Sequence, residues 1–353
     1  MSTDAIPADP RTGLSVPATR PMPPIEQVKP GLWSIPVPLP MTSLRYVLVY
    51  AFETNNGAYL VDAGWDTEDA WDGLVAGLAV AGISITDVRG VLATHVHPDH
   101  YGLAGRIRAV SGAWIGLHPA DAHLIADPDT RADRHIPIAR EDYRRAGAPP
   151  DEIDALGTEA MAIGGLDYAV TPDRLIEDGA RVDIADWDIT ALWTPGHSPG
   201  HLCFRVPQAR AVLTGDHVLP RISPNIAASP WAGTDPLGDY LDSLDKLAAY
   251  DDDLLALPAH EHRFSGLAQR ISDIRVHHEV RLCEIVQLVC AGRQTAWDIA
   301  SALTWSRPWD QINATMRRAA VSETQAHLLT LKGRGLVAPI GDDPTRWVAR
   351  RAR

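Results

Sequence analysis

Three cysteines in 353 residues, at Cys203, Cys283 and Cys290, form no spaced framework, so a disulfide-built secreted module is excluded. Long apolar runs are also missing. No stretch approaches the roughly 18 consecutive apolar residues of a membrane span, and no membrane association is expected. The N-terminal residues lack the apolar core of a secretory signal, and with the unpaired thiols this makes the expected location cytoplasmic. Positive charge is scarce: 32 Lys and Arg stand against 45 Asp and Glu, a formal charge of −13. Such a surface repels nucleic acid unless basic groups are concentrated. They are concentrated only modestly, in residues 265–353, which carry +5 against −18 for the rest. What is present is ordinary for a globular chain, 45% hydrophobic and 22% charged, with length for one large domain and a small one.

Residues 1–24 hold six prolines and few large apolar groups, the composition of a disordered tail. From Gly31 short β-like runs follow: LWSIPVP, YVLVYAF (46–52) and AYLVD (58–62). Trp71, Leu74, Val75 and Leu78 then take the spacing of an amphipathic helix between Asp66 and Ala81, before a buried strand at 88–94. Further strands are expected at 113–117, 180–184, 187–194, 201–206, 209–215 and in LLALP, with a helix through Tyr240, Leu241, Leu244 and Leu247. Helices covering sheet faces are the expected build of residues 25–265. The arginine-rich interval 121–172 reads as an inserted helical cap. After Phe264 the pattern turns helical. Leu282, Ile285, Val286 and Val289 share a face, Thr295 precedes Asp298 by three residues as a helix cap, and LVAPI and RWVAR close the chain. Three helices and a β-hairpin over 266–353 describe a small winged-helix domain. Cys203 is expected in the core, as are Cys283 and Cys290 on one helix face. His262, His277 and His278 are expected as ordinary surface or interface residues.

The strongest chemical signal is THVHPDH, residues 94–100, at the end of the buried strand. In an extended segment residues two apart point the same way, so His95 and His97 can offer imidazoles to one metal ion. Asp99 and His100 follow where the chain turns into a helix and can face a second ion. Three later segments place polar residues at strand ends: TPGHSPGH with His197, LTGDHV with Asp216, and LPAHEH with His260. His217 is expected to point away from Asp216.

In combination these motifs resemble the metallo-β-lactamase superfamily, over about residues 30–265. The resemblance implies an α+β fold, an αββα sandwich of two mixed sheets with metals at one edge, here followed by the winged helix. It implies a first metal at His95, His97 and His197, a second at Asp99, His100 and His260, and Asp216 bridging both. Asp62, in YLVDAGW, is similar to the family's acidic residue behind the ligands, and His201 is expected as a structural hydrogen-bonding partner. Relatives that hydrolyse β-lactams commonly carry Cys where this chain has Asp216, and the diiron flavoprotein branch carries Glu in place of His97. Neither antibiotic hydrolysis nor oxygen reduction is therefore expected. The full second set of ligands also argues against the single-iron persulfide dioxygenases.

Two Zn2+ suit this set best, with Mn2+ or Fe2+ as alternatives. A hydroxide bridging the metals would be the nucleophile and Asp99 the catalytic residue that orients it and moves its proton. Arg221, Ser223 and Asn225, on the loop after Asp216, and Tyr143 of the cap are the candidate substrate contacts. The expected function is hydrolysis of a small carboxylic ester, thioester or lactone, with a coenzyme A or carrier-protein thioester among the candidate partners. The winged helix joined to this catalytic fold resembles a subgroup of acyl-thioester hydrolases and endoribonucleases. A phosphodiesterase or endoribonuclease is therefore one alternative, and a nucleic-acid-binding regulator with a vestigial site is another. A homodimer is one arrangement this reading keeps open.

Overall fold

The computed structural model describes residues 22–40, 44–156, 166–250 and 253–350. Most of the proline-rich tail, part of the cap and the last arginines lie outside them. Seven strands form the first sheet, in the order β1 (Glu26–Lys29), β2 (Leu32–Pro38), β3 (Tyr46–Thr54), β4 (Gly57–Val61), β5 (Val88–Leu92), β6 (Trp114–Leu117) and β7 (Arg174–Leu175). The first four pair antiparallel and the rest parallel. The second sheet contains β8 (Arg181–Ile184), β9 (Trp187–Trp193), β10 (Leu202–Val206), β11 (Ala211–Gly215) and β12 (Leu255–Pro258), with β11 and β12 parallel.

Alternation along the strands explains why both faces of each sheet are covered. On β3, Leu48, Tyr50 and Phe52 join Phe204, Leu213 and Leu257 in the core between the sheets. Val47, Val49 and Ala51 point the other way, onto Leu74 and Leu78 of α1 (Glu68–Val80). The first turn of α1 is capped by Thr67, whose side chain accepts the Ala70 N–H. Two short helices, α2 (Pro98–Tyr101) and α3 (Ala104–Ser111), follow β5. The cap interval begins with α4 (Pro119–Ala126) and continues as α5 (Ala132–Arg145) and α6 (Pro150–Ala155).

Leu192, Cys203, Val212 and Ala256, on the outer face of the second sheet, meet Leu237, Tyr240 and Leu244 of α7 (Pro236–Ala248). Three helices and an antiparallel pair complete the chain: α8 (Leu267–Cys290), α9 (Ala296–Ala302), α10 (Ala314–Gly333), β13 (Val337–Ile340) and β14 (Arg346–Ala349). Thr295 caps α9 by accepting the Asp298 N–H. These last elements do not enclose a core of their own. Leu282, Ile285, Val321 and Leu328 share one apolar cluster with α7 and with Tyr143 and Ala146 of the cap.

That packing corrects several expectations. Cys203 is buried, but Cys283 and Cys290 are exposed on α8, because its opposite side, with Leu282, Ile285 and Val289, faces the core. His278 is buried rather than superficial, since α10 covers it. His327 Nδ1 donates to the Glu323 carbonyl, so His327 Nε2 accepts from His278 Nδ1 at 3.2 Å. Tyr143 is buried against Trp297, at 5.9 Å between ring centroids, and is a packing residue rather than a substrate contact.

Candidate metal centre

The chain leaves β4, β5, β6, β11 and β12 at one edge of the sandwich, and the turns there carry the chemistry. Asp62 follows β4 at φ 64°, a left-handed conformation that Asp tolerates better than most residues. Its carboxylate accepts Thr94 N–H at 2.7 Å, the Thr94 hydroxyl at 3.0 Å and His100 Nδ1–H at 2.8 Å. That bond orients the His100 ring and makes Nε2 the atom turned towards the cluster and available to a metal ion. The same device recurs twice. His260 Nδ1 donates to the Tyr46 carbonyl at 3.0 Å, and His197 Nδ1 to the Asn225 carbonyl at 3.1 Å.

The freed Nε2 atoms converge on carboxylates. His260 Nε2 is 3.3 Å from both Asp99 Oδ2 and Asp216 Oδ1. His100 Nε2 is 3.4 Å from Asp99 and 3.6 Å from Asp216, and His197 Nε2 is 3.4 Å from Asp216. His95 Nε2 lies 2.9 Å from His97 Nδ1, while its other nitrogen meets the Thr94 hydroxyl. Three sets of donor atoms lie mutually within 4.8 Å: His95, His97 and His197; His95, His100 and Asp216; Asp99, His100 and His260. Seven side chains singled out in the sequence are thus brought together.

Burial, reinforced by the neighbouring rings, holds His95 well below its ordinary pKa and His97 at about 3, so both are neutral bases. Burial also lowers His260, but Asp216 and Asp99 outweigh it and raise the ring to about 10. The cluster therefore attracts positive charge. Its fit to a cation is visible in the orphaned atoms: His100, His197 and His260 Nε2 and Asp216 Oδ1 are buried without a hydrogen-bond partner.

The family profile of the metallo-β-lactamase superfamily matches residues 42–260. The chain belongs to that superfamily. Members of that superfamily typically bind divalent metal ions, and the three donor sets here are of the kind that holds them. Its similarity to the lactamase-like protein adaB of Aspergillus niger is 30% identity over 155 residues, 43% of this chain and 45% of that protein. The chain spans about half the length of that relative. The solved metallo-β-lactamase family protein TTHA1429 from Thermus thermophilus superposes with a TM-score of 0.77 at 29% identity, covering 92% of this chain and all of that one. A β-lactamase domain protein from Burkholderia ambifaria shares the fold, with TM-score 0.73, 24% identity and coverage of 92% and 95%.

Around the superfamily cluster, His201 serves the backbone. Its Nε2 accepts the Asp216 N–H at 3.2 Å and its Nδ1 meets the Thr194 hydroxyl at 2.9 Å. His217 is buried, its ring 4.9 Å from that of Tyr240, and is not part of the three donor sets. Arg221 is not free for a substrate: Glu261, the residue after His260, binds its guanidinium and its backbone N–H. Asn225 acts on His197 through its backbone carbonyl, and Ser223 is half-buried on the same loop.

One half-buried and one buried residue were not singled out as site residues. Tyr168 donates to the Val96 carbonyl between His95 and His97. Asp121 accepts Val96 N–H at 2.9 Å, the Ser198 hydroxyl at 2.9 Å and Gly200 N–H at 2.6 Å. The available signal was its place just after the strand AWIGL, matching the strand-end positions of the other acids.

Replacing Asp62 tests its hold on the His100 ring. Asn tolerates the same backbone and can still accept from Thr94, but its amide sets a donor against His100 Nδ1–H. Asp62→Asn is expected to weaken metal binding about 10- to 100-fold while the fold persists. Competition with a chromophoric chelator, beside circular dichroism, measures both. Unchanged metal affinity would refute the role given to Asp62.

Proposed function

We propose that this chain is a dinuclear zinc hydrolase of small carboxylic esters, thioesters or lactones. The carrying observation is the set of seven converging nitrogen and oxygen donors, arranged with Asp216 between the two groups. His95, His97 and His197 would hold one ion and Asp99, His100 and His260 the other. When bound, the ions supply Lewis acidity that lowers the pKa of water towards neutrality and polarises a substrate carbonyl. Asp99, whose side chain is 13% exposed at the open side of the cluster, is positioned to take a proton from the attacking water and return it to the leaving group. Among the described residues a side-chain nucleophile has no candidate at the cluster. The Ser198 hydroxyl is committed to Asp121, and burial pushes the Cys203 thiol up to about 12.

The preference for acyl over polyanionic substrates gains support from the arginines. In the cap Arg131 faces Asp167, Arg134 faces Asp129, Arg140 faces Asp154, and Arg144 and Arg145 share Glu141. Beyond it Arg275, Arg281, Arg317 and Arg334 are paired with Asp245, Glu284, Glu152 and Glu279. Pairing at that frequency leaves little net field for a nucleic-acid track. We read the C-terminal helices and hairpin as a winged-helix module that braces the catalytic part rather than reading DNA.

The experiment is a screen of the purified chain against acyl thioesters, esters, lactones, phosphodiesters and single-stranded RNA, with metal content measured on the same sample. Turnover of at least one acyl compound with two metals per chain is expected. Efficient RNA cleavage, with no acyl compound turned over above the rate of free zinc, would replace this reading by the phosphodiesterase one.

A further inference from the structure

We propose that Asp121 is a positioning residue whose carboxylate fastens the segment carrying His95 and His97 to the turn carrying His197. This rests on the dinuclear reading above and assigns a residue that sets the geometry of one of its two ions. Asp121 lies in the first turn of α4, fully buried. It stands 25 residues after Val96 and 77 before Ser198, so nothing local brings the three together. Its Oδ2 takes the peptide N–H between His95 and His97 together with the hydroxyl beside His197, and its Oδ1 takes the N–H of Gly200. The backbone bond from Leu202 N–H to the Thr94 carbonyl, at 2.7 Å, closes the far end of the same junction.

Gly200 records the constraint from the other side. A Cβ there would lie 2.6 Å from Asp121 Cγ, so a side chain at 200 and the carboxylate cannot share this space. The chemistry of the three donors also calls for a carboxylate. Three donors converge on two oxygens, and an amide fails in either orientation. With its oxygen towards Val96 and Ser198 its NH2 opposes Gly200 N–H, and when reversed it opposes Val96 N–H. Because metal geometry depends on ligands held within about 0.5 Å, losing one of the two bonds to backbone N–H is expected to act on the His95, His97 and His197 group and to spare the other.

The test uses the full chain, stripped of metal and titrated with cobalt(II). Visible absorbance reports the geometry around each ion, and zinc affinities are obtained by chelator competition. Wild type is expected to take two ions. Asp121→Asn is expected to retain its circular dichroism and one tight ion, while affinity at the three-histidine group falls about 10- to 100-fold and the absorbance of that ion weakens. Ser198→Ala keeps both carboxylate-to-backbone bonds and should stay close to wild type. Gly200→Ala, whose Cβ would displace the residue at 121 although Asp is retained there, should reproduce the selective loss. Unchanged affinities in Asp121→Asn, or equal weakening of both ions, would overturn the proposal and leave Asp121 a strut for folding. A wild-type chain that takes up no cobalt would overturn the dinuclear reading, and this assignment with it.

Discussion

Stripping divalent metal from the purified protein is expected to abolish hydrolysis completely, and adding back about two equivalents of zinc to restore it. No group in the cluster can replace the ions. Burial holds His95 and His97 neutral, His100, His197 and His260 already spend Nδ1 on fixed acceptors, and Cys203 is buried with its thiol protonated. Without the ions the charge on His260 is spent on Asp99 and Asp216, and nothing else in the site acidifies water or draws charge from a carbonyl. Activity and metal content measured on the same aliquots during dialysis against chelator should fall together. Full activity in a preparation shown by elemental analysis to hold less than a tenth of an equivalent of metal would refute the metal-dependent reading outright.

A loss nearly as large is expected from Asp99→Ala. Proton transfer by a positioned side chain contributes roughly 10²- to 10⁴-fold, and Asp99 is also one of three groups facing the second ion. Turnover at saturating metal should fall by at least about 100-fold. Folding should be little affected, because the side chain lies at the turn into α2 and makes no core contact of its own. The measurement is kcat on whichever acyl substrate the screen identifies, with zinc stoichiometry and thermal unfolding followed in parallel. Near-normal turnover with both metals in place would take the proton-transfer role away from Asp99.

The strands and the first part of the donor cluster were legible because each depends on short-range information. Alternation on β3 assigns its two faces without knowledge of the partner sheet, and His95, His97, Asp99 and His100 stand in one short motif, whereas His197, Asp216 and His260 joined them only through the resemblance to the superfamily. What escaped the sequence depends on packing between distant segments. Asp121 acquires its partners only when two loops close over it. His278 is buried because α10 lies across α8, a fact absent from the pattern of α8 itself. That helix also misleads, since Val276, Val280 and Cys283 form a second apolar stripe beside Leu282, Ile285 and Val289, and only the latter faces the core. Arg221 looked available for a substrate because its partner, Glu261, lies 40 residues further along the chain.

Tyr240 gives the C-terminal helices a stake in the catalytic edge. Its hydroxyl donates to the carbonyl of His217, the residue after Asp216, and its backbone fills the space where Gly196, beside His197, would carry a side chain. On its other side its ring meets His278 of α8. The catalytic part is therefore not a detachable unit. A gene shortened at residue 265 would leave Leu237, Tyr240 and Leu244 facing water, and the turns bearing His197 and Asp216 would lose the wall they lean on. Anyone transplanting this active site into another scaffold, or recombining it with a different tail, would have to carry α8 and α10 along as part of the same inheritance.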